Sequence, residues 1–176
     1  MDMLEIQALE YDRLPEARRS ELAAAASNEF DRFPIVRQTT WAVPDWSVLG
    51  TVDTRLACFY HAVLRDVRFD GKAVPVVGLN NLITLPSYKG RGLASRLLQE
   101  TESLWFGTLG ARCGLLLCAD ALVPFYARLG WRSVPSAVRF AQPRMPPQTW
   151  AANCMLLSPD RREASPQVID LAGLPW

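Results

Sequence analysis

The sequence predicts one domain of the α/β (α+β) class over residues 1–176. Three observations support this prediction. Two apolar, β-branched runs are joined by Asp70-Gly71, a dipeptide that favours a tight hairpin turn. An amphipathic helix pattern follows a glycine-rich segment near residue 90, and the continuous apolar run CGLLLCA is typical of a strand buried on both faces. Strands and helices are therefore interspersed along a chain of ordinary domain size.

The charge and hydropathy of the chain limit its partners. It carries 19 Lys and Arg against 18 Asp and Glu, a formal net charge of +1, which provides no basic field for non-specific nucleic-acid binding. No apolar run reaches the roughly 18 residues of a membrane helix, and the acidic start is unlike a signal peptide. We therefore expect a cytoplasmic protein with no nucleic-acid or membrane partner.

Residues that could bind a metal are few and unsuitably spaced. Cys58, Cys113, Cys118 and Cys154 show no C-x-x-C spacing, and His61 is the single histidine. Neither a structural zinc site nor a disulfide scaffold is expected from this pattern, and a multi-histidine site is excluded. The sequence therefore predicts no metal.

The first half of the chain predicts a helix, a loop region and the hairpin. Residues 15–30 begin with Pro at a first helical turn and continue through Ala-rich sequence, which predicts a helix. Residues 33–52 are irregular and predict loops with room for one short helix. Across the hairpin, a type I′ turn pairs residues that sum to 141, which places His61 opposite Asn80 on one face. A bulge before Asn80 would break this register.

The second half predicts an alternation of helices and strands. Apolar residues recur at three- and four-residue steps over residues 89–110, which predicts an amphipathic helix. Residues 113–119 predict a buried strand, and residues 121–129 predict a short helix stopped by a glycine. Two later strands are separated by the Pro-rich run PRMPPQTW, a candidate substrate loop.

The glycine-rich segment between a strand and a helix is the main site motif. Residues 86–94 read PSYKGRGLA. Glycines let main-chain amides approach an oxyanion, the helix N-terminus carries roughly half a positive charge, and Lys89 and Arg91 add full charges. The segment is not a Walker loop, and it fits G-x-G-x-x-G/A imperfectly because Ser95 occupies the third position. The pattern indicates anion binding, and a glycine-rich turn is the structural alternative.

Two motifs together carry a family resemblance. The run KGRGLA over residues 89–94 is followed, after the predicted buried strand, by FYARLGW over residues 125–131. Together they resemble the GCN5-related N-acetyltransferase (GNAT) family. The family's acetyl-CoA signature, Arg/Gln-x-x-Gly-x-Gly/Ala, is matched with Lys at the first position. Its second signature, an aromatic-Tyr pair before Gly-Phe/Trp, is similar to the second run.

The resemblance implies a mixed, mostly antiparallel sheet flanked by helices, with a V-shaped splay between strands 4 and 5 that holds pantetheine. Those strands would be LNNLITL and CGLLLCA. It also implies acetyl-CoA as co-substrate, bound by main-chain groups. The implied contacts are Leu82, Ile83 and Thr84 for the pantetheine amides and Lys89, Gly90, Arg91, Gly92, Leu93 and Ala94 for the pyrophosphate.

Within the family, the chain is similar to the aminoglycoside 2′-N-acetyltransferases in its hairpin spacing, its Pro-rich penultimate loop and its final Trp. In that subfamily an acidic residue on the fourth strand and the terminal carboxylate hold a polycationic sugar. The corresponding residues here are Asn80 and Trp176, which the resemblance implies to be substrate-binding. Because Asn80 replaces a carboxylate, attraction for several ammonium groups is weaker.

The implied reaction is N-acetyl transfer from acetyl-CoA to a primary amine of a small molecule, with an aminoglycoside-like sugar as one candidate. Tyr126 corresponds to the family tyrosine that donates a proton to the departing CoA thiolate. His61, beside Asn80 in the predicted register, is a candidate catalytic residue that could accept the amine proton through water. Water relays alone are a second alternative, and a histidine that only satisfies local hydrogen bonds is a third.

Two other function classes stay open at the level of sequence. A CoA-binding module without transfer activity, acting as a sensor or interaction protein, is favoured by the missing strand carboxylate, whereas the intact Phe125-Tyr126 pair favours the enzyme. Dinucleotide binding for redox work is disfavoured by Ser95 and by the hairpin, where a βαβ unit would be expected. The sequence names neither the amine acceptor nor the oligomer, for which a homodimer is one alternative.

Overall fold

The computed structural model describes residues 3–160 and 164–176, and these divide into two units that share two long strands. Unit 1 takes the described residues of Met1–Thr39, Pro44–Ala62 and Asn80–Glu100. Unit 2 takes the described residues of Thr40–Val43, Val63–Leu79 and Thr101–Trp176.

The described residues contain both strands and α-helices in the interspersed order expected for the class. In chain order the elements are β1 (Glu5–Glu10), α1 (Glu16–Phe30), α2 (Pro34–Gln38), β2 (Trp46–Val52), β3 (Arg55–Phe69), β4 (Lys72–Thr84), α3 (Leu93–Ser103), β5 (Cys113–Cys118), α4 (Val123–Arg128), β6 (Arg132–Val134), β7 (Ala137–Phe140), β8 (Gln148–Thr149), β9 (Asn153–Leu157) and β10 (Val168–Asp170). A π-helical turn, Leu104–Thr108, follows α3 directly.

Most predicted elements are confirmed, and several short strands are additional. The predicted helices correspond to α1, α3 and α4, and the predicted strands correspond to β3, β4, β5, β7 and β9. β2 lies in the region predicted as loops: its sequence WSVLGTV is buried on both faces, so the period of two that identifies a strand is absent. β6, β8 and β10 have only two or three residues each, too few to show a pattern.

The predicted turn between β3 and β4 is confirmed. β3 ends directly before Asp70-Gly71 and β4 begins directly after it. Both residues have left-handed main-chain conformations, with φ 48° at Asp70 and 87° at Gly71, as a type I′ turn requires. Farther along β4, Asn81 has a φ of 50°, which interrupts the regular extended strand.

In unit 1, helices cover both faces of a small antiparallel sheet. β2 pairs with β1 on one side and with β3 on the other. Leu49 of β2 packs in one apolar cluster with Leu22 of α1, whereas its neighbour Gly50 faces Leu97 of α3, whose Cδ1 lies 3.4 Å from an ideal Cβ position. Because successive strand residues point to opposite faces, α1 and α3 lie on opposite sides of this sheet.

In unit 2, the strand order is β6-β9-β5-β4-β3-β10-β7-β8. Two neighbouring pairs of described strands, β4 with β5 and β10 with β7, are parallel. The β4–β5 ladder joins Val76–Gly78 to Cys113–Leu115 and ends there, although both strands continue. This early end of the ladder is expected of strands that splay. The predicted mixed, mostly antiparallel sheet flanked by helices is therefore confirmed.

The described part of the chain has no helix with both the length and the apolar composition needed to span a membrane.

Candidate active site

The glycine-rich loop enters α3 through two residues in the left-handed region. Gly90 has a φ of 79° and Gly92 a φ of 73°, conformations that glycine adopts without steric cost. No heavy atom within 4 Å would meet a Cβ at either position, so the backbone conformation alone explains the glycines. The first intrahelical bond, from Arg96 N to Gly92 O, is 3.1 Å long, and N–H groups in the first helical turn have no acceptor inside the helix. The local geometry is therefore suited to an anion.

The two cations of the loop are engaged in contacts with the protein. Lys89 Nζ lies 3.0 Å from Glu29 Oε2 of α1, and both side chains are partly exposed. Arg91 Nη2 donates to the Ser87 main-chain oxygen at 3.0 Å, and its guanidinium lies over the Tyr88 ring, 5.3 Å from the centroid. Because Glu29 offsets the charge of Lys89, the loop is less positive than the sequence suggests.

The predicted pantetheine-binding segment forms the end of β4. Ile83 is buried in the apolar cluster of unit 1, while Leu82 and Thr84 on either side are half-buried. Directly after the strand, Leu85 N donates to Ala57 O of β3 at 2.9 Å. The segment is therefore held by its apolar side chain and by strand pairing, independently of a ligand.

The two predicted substrate-binding residues lie in different environments. Asn80 is half-buried within β4 of unit 1. The Trp176 side chain, in contrast, is buried in the core of unit 2, where its Nε1 donates to Leu115 O at 3.2 Å. The substrate role of both residues stays a prediction, and the ring of Trp176 has a packing role that the sequence did not indicate.

Tyr126 of α4 lies within a row of aromatic rings. Its ring contacts Phe125 at 5.0 Å and Trp131 at 6.0 Å between centroids, and Trp131 in turn contacts Trp105 at 5.8 Å. Trp105 and Trp131 pack against Gly114 of β5, where a Cβ would approach them to within 3.1 and 2.8 Å. This row fixes the position of Tyr126.

The surroundings of Tyr126 keep its hydroxyl protonated. Burial raises the pKa of Tyr126 above its ordinary value of 10, and the nearby Cys118 acts in the same direction. A protonated phenol can donate a proton to a developing thiolate.

His61 lies on β3 in an apolar environment. It is 5% exposed, its Nδ1 lies 2.7 Å from Ser47 Oγ, and its ring contacts Tyr11 and Phe59 at 5.4 Å. Burial lowers the pKa of His61 from 6.5 to about 4, so the imidazole is neutral at physiological pH. These contacts favour the alternative in which His61 satisfies a local hydrogen bond, and its catalytic role stays a prediction.

The cysteines are buried free thiols. Burial is the main cause that raises their pKa values, to about 11 for Cys58 and Cys118 and to about 12 for Cys113 and Cys154. Since the thiolate is the nucleophilic form, all four are unreactive near neutral pH.

Two positioning features had no clear signal in the sequence. Ser47, the partner of His61, belongs to β2, the strand without a periodic pattern. Trp105 lies in the π-helical turn after α3. Its spacing in the sequence indicated only that it belongs to the apolar face of a helix. The FYARLGW run shows that Trp131 is near Tyr126 in the sequence. It does not reveal the contact between Trp131 and Trp105.

Comparison with known proteins identifies relatives of this fold. The chain matches the family model described as acetyltransferase (GNAT) domain over residues 19–134. No curated protein sequence matches it significantly.

Three similar crystal structures show the shared fold. Escherichia coli ElaA has a TM-score of 0.65 and 16% identity, covering 89% of this chain and 100% of that chain. The E. coli GNAT family N-acetyltransferase YhbS, in complex with CoA, has a TM-score of 0.61 and 15% identity, covering 97% and 91%. A Brucella melitensis GNAT family acetyltransferase, in complex with acetyl-CoA, has a TM-score of 0.58 and 15% identity, covering 94% of each chain.

The family match includes both motifs of the candidate active site. Residues 19–134 are more than half of the 176-residue chain, and they contain the glycine-rich loop and Tyr126. The mixed sheet and the early end of the β4–β5 ladder agree with that match. The protein therefore belongs to the GNAT acetyltransferase family.

Proposed function

We propose that this protein is an acetyl-CoA-dependent N-acetyltransferase that acts on a primary amine of a small molecule. The observation that carries the proposal is the pair of left-handed glycines, Gly90 and Gly92, at the start of α3 in a chain of the GNAT family. Two of the similar structures are complexes with CoA and with acetyl-CoA, which supports the same co-substrate here.

In this proposal, main-chain groups bind the coenzyme. The pyrophosphate accepts hydrogen bonds from amides of residues 89–94, which combine the loop with the positive end of the helix dipole. The pantetheine amides bond to the main chain of residues 82–84. Since Lys89 is paired with Glu29 and Arg91 with Ser87, the main chain supplies most of the attraction.

The reaction proceeds by direct transfer. The neutral amine attacks the thioester carbonyl, a C–N bond forms, and the tetrahedral oxyanion collapses with cleavage of the C–S bond. Tyr126 donates its proton to the departing CoA thiolate. The nitrogen releases one proton to water, and a proton from solvent restores the phenol, so the step is balanced overall.

We assign the transfer of the amine proton to water rather than to His61. A histidine with a pKa of about 4 is a weak base, and its Nδ1 is already bonded to Ser47. The amide of Asn80 cannot accept a proton at neutral pH.

The acceptor is defined here only as a small primary amine, and aminoglycosides are one class to test. Asn80 replaces the carboxylate that a polycationic sugar would favour. A mono-amine is therefore the better first substrate class.

The direct test is thiol release from acetyl-CoA in the presence of a panel of primary amines that includes aminoglycosides. We expect release with at least one amine, and a loss of roughly a hundredfold in kcat for Tyr126→Phe. Tyr60→Phe, which removes a buried phenol hydroxyl from β3, is the control. Binding of CoA without thiol release for any amine would instead support the silent CoA-binding module.

The binding loop is tested by Gly92→Ala against Gly71→Ala. Both glycines have positive φ values, and neither has a heavy atom within 4 Å of a Cβ, so the backbone cost of about 1 to 2 kcal/mol is matched. We expect both variants to lose similar stability, while Gly92→Ala alone raises the KM for acetyl-CoA, several-fold. Equal KM values for the two variants would contradict the proposed loop.

A further inference from the structure

The indole ring of Trp176 lies at the end of the β4–β5 ladder. An ideal Cβ on Gly78 would clash with Trp176 Cε2, so the ring packs directly on the main chain of β4. Its Nε1 donates to the main-chain oxygen of Leu115 in β5 at 3.2 Å. Gly78 and Leu115 form the last pair of the ladder. One side chain therefore contacts both strands where their pairing ends.

The segment that carries this ring is held by Arg65 of β3. Its Nη1 donates to the main-chain oxygens of Leu171 at 3.0 Å and of Leu174 at 2.7 Å. The same guanidinium lies over the Trp176 ring, 5.3 Å from the centroid. The planar guanidinium can satisfy several such contacts at once, which fixes the ring in one place.

From these contacts we infer that Trp176 is a positioning residue for acyl-CoA binding, because it determines where β4 separates from β5. A buried main-chain oxygen needs a donor, and the indole N–H provides one to Leu115 at the end of the ladder. The absence of a side chain at Gly78 leaves room for the ring against β4. A smaller or differently placed side chain would let the two strands pair further or move apart.

The inference rests on the proposed function and adds Trp176 to it as a positioning residue. β4 extends from Gly78 through Asn81, whose φ is 50°, to Leu82, Ile83 and Thr84, whose main chain we propose binds pantetheine. A change in the path of the strand at Gly78 therefore alters acyl-CoA affinity. Tyr126 belongs to α4 and not to β4, so the proton-donating step is affected less than binding.

The test compares Trp176→Phe with the wild type in acetyl-CoA titration calorimetry and in steady-state thiol release. Phenylalanine retains an aromatic ring but removes the N–H donor to Leu115. We expect the Kd and KM for acetyl-CoA to rise by roughly two- to tenfold, the effect of one lost hydrogen bond, with kcat within about twofold of wild type.

Trp150→Phe is the matched control. Within residues 3–160 and 164–176, the buried Nε1 of Trp150 has no hydrogen-bond partner, so its removal should leave the acetyl-CoA Kd unchanged. Arg65→Lys is a milder second variant, which keeps the charge and loses the planar contacts; it should also raise the Kd.

The outcomes separate the two proposals. Wild-type protein that binds no acetyl-CoA overturns the proposed function and this inference with it. Wild-type protein that binds, with Trp176→Phe and Arg65→Lys binding equally well, overturns the inference alone. An equal rise in Kd for Trp150→Phe also overturns it, because the effect would then be a general consequence of losing an indole that packs against the apolar cluster of unit 2.

Discussion

His61 shows how burial changes the chemistry of a single residue. In the sequence, it is the only histidine and a natural candidate for a base. In the structure, it is 5% exposed, bonded to Ser47 and surrounded by the rings of Tyr11 and Phe59. The cost of placing a charge there holds its pKa near 4, so the residue is a neutral part of the core above that pH.

This burial predicts a pH dependence of stability. Above pH 6.5 the imidazole is neutral in the folded and unfolded states and has no effect. As the pH falls from 6.5 to about 4, the unfolded state binds a proton that the folded state does not, so stability decreases. The total loss is about 3 kcal/mol, and below pH 4 it grows no further. Urea unfolding at several pH values measures it.

His61→Gln isolates this effect from the titration of carboxylates. The variant retains a group that can bond to Ser47 but cannot be protonated. We expect the unfolding free energy of the wild type to decrease more than that of the variant as the pH falls from 7 to 4.5. A difference between the two proteins that is the same at both pH values would contradict the lowered pKa.

At the scale of elements, the turn of the long hairpin also anchors a distant strand. The Asp70 carboxylate accepts hydrogen bonds from the main-chain N–H groups of Gln167 at 3.0 Å and Val168 at 2.8 Å. The Asp70 N–H in turn donates to Val168 O at 2.9 Å. β10, only three residues long, therefore begins at the hairpin turn and pairs with β3 from there.

We expect Asp70→Ala to cost about 2 kcal/mol of stability, because it removes both acceptors and places alanine at a φ of 48°. Asp70→Asn retains one acceptor oxygen and tolerates this conformation, so it should cost about half as much. Urea unfolding of the two variants compares them. A loss below about 0.5 kcal/mol for Asp70→Ala would show that β10 is held by other contacts.

At the scale of the whole molecule, β3 and β4 connect the two units. β3 continues from Ala62 of unit 1 into Val63 of unit 2, and β4 continues from Leu79 of unit 2 into Asn80 of unit 1. A unit that unfolds alone would have to break these two strands in the middle. The prediction of a single domain can therefore be tested by the number of unfolding transitions that the protein shows.

We expect calorimetry to show one unfolding transition whose calorimetric and van't Hoff enthalpies agree within about 10%. Asp70→Ala, in unit 2, should lower the midpoint of that same transition without splitting it. Two resolved transitions, or a variant that shifts only part of the heat absorption, would show that the units unfold independently.

Features that depend on residues adjacent in the chain could be predicted before the structure was known. Asp70-Gly71 specified its turn because two positive φ values suit those residue types. The apolar spacing of residues 93–103 specified α3, and the glycines before it specified a loop that can approach an anion. A short motif is the basis for the catalytic role of Tyr126, which stays a prediction. Each of these signals lies within one element and its flanking residues.

The environment of the side chains depends on contacts between distant parts of the chain. Ser47 meets His61 across 14 positions, Lys89 meets Glu29 across 60, and the Trp176 ring meets Leu115 across 61. The contact with Ser47 helps to bury His61, whose catalytic role stays a prediction, and the contact with Glu29 offsets the charge of Lys89. The Trp176 ring packs in the core of unit 2. Burial and charge pairing depend on residues that are close in space but distant in sequence. Periodicity and local motifs therefore do not predict them.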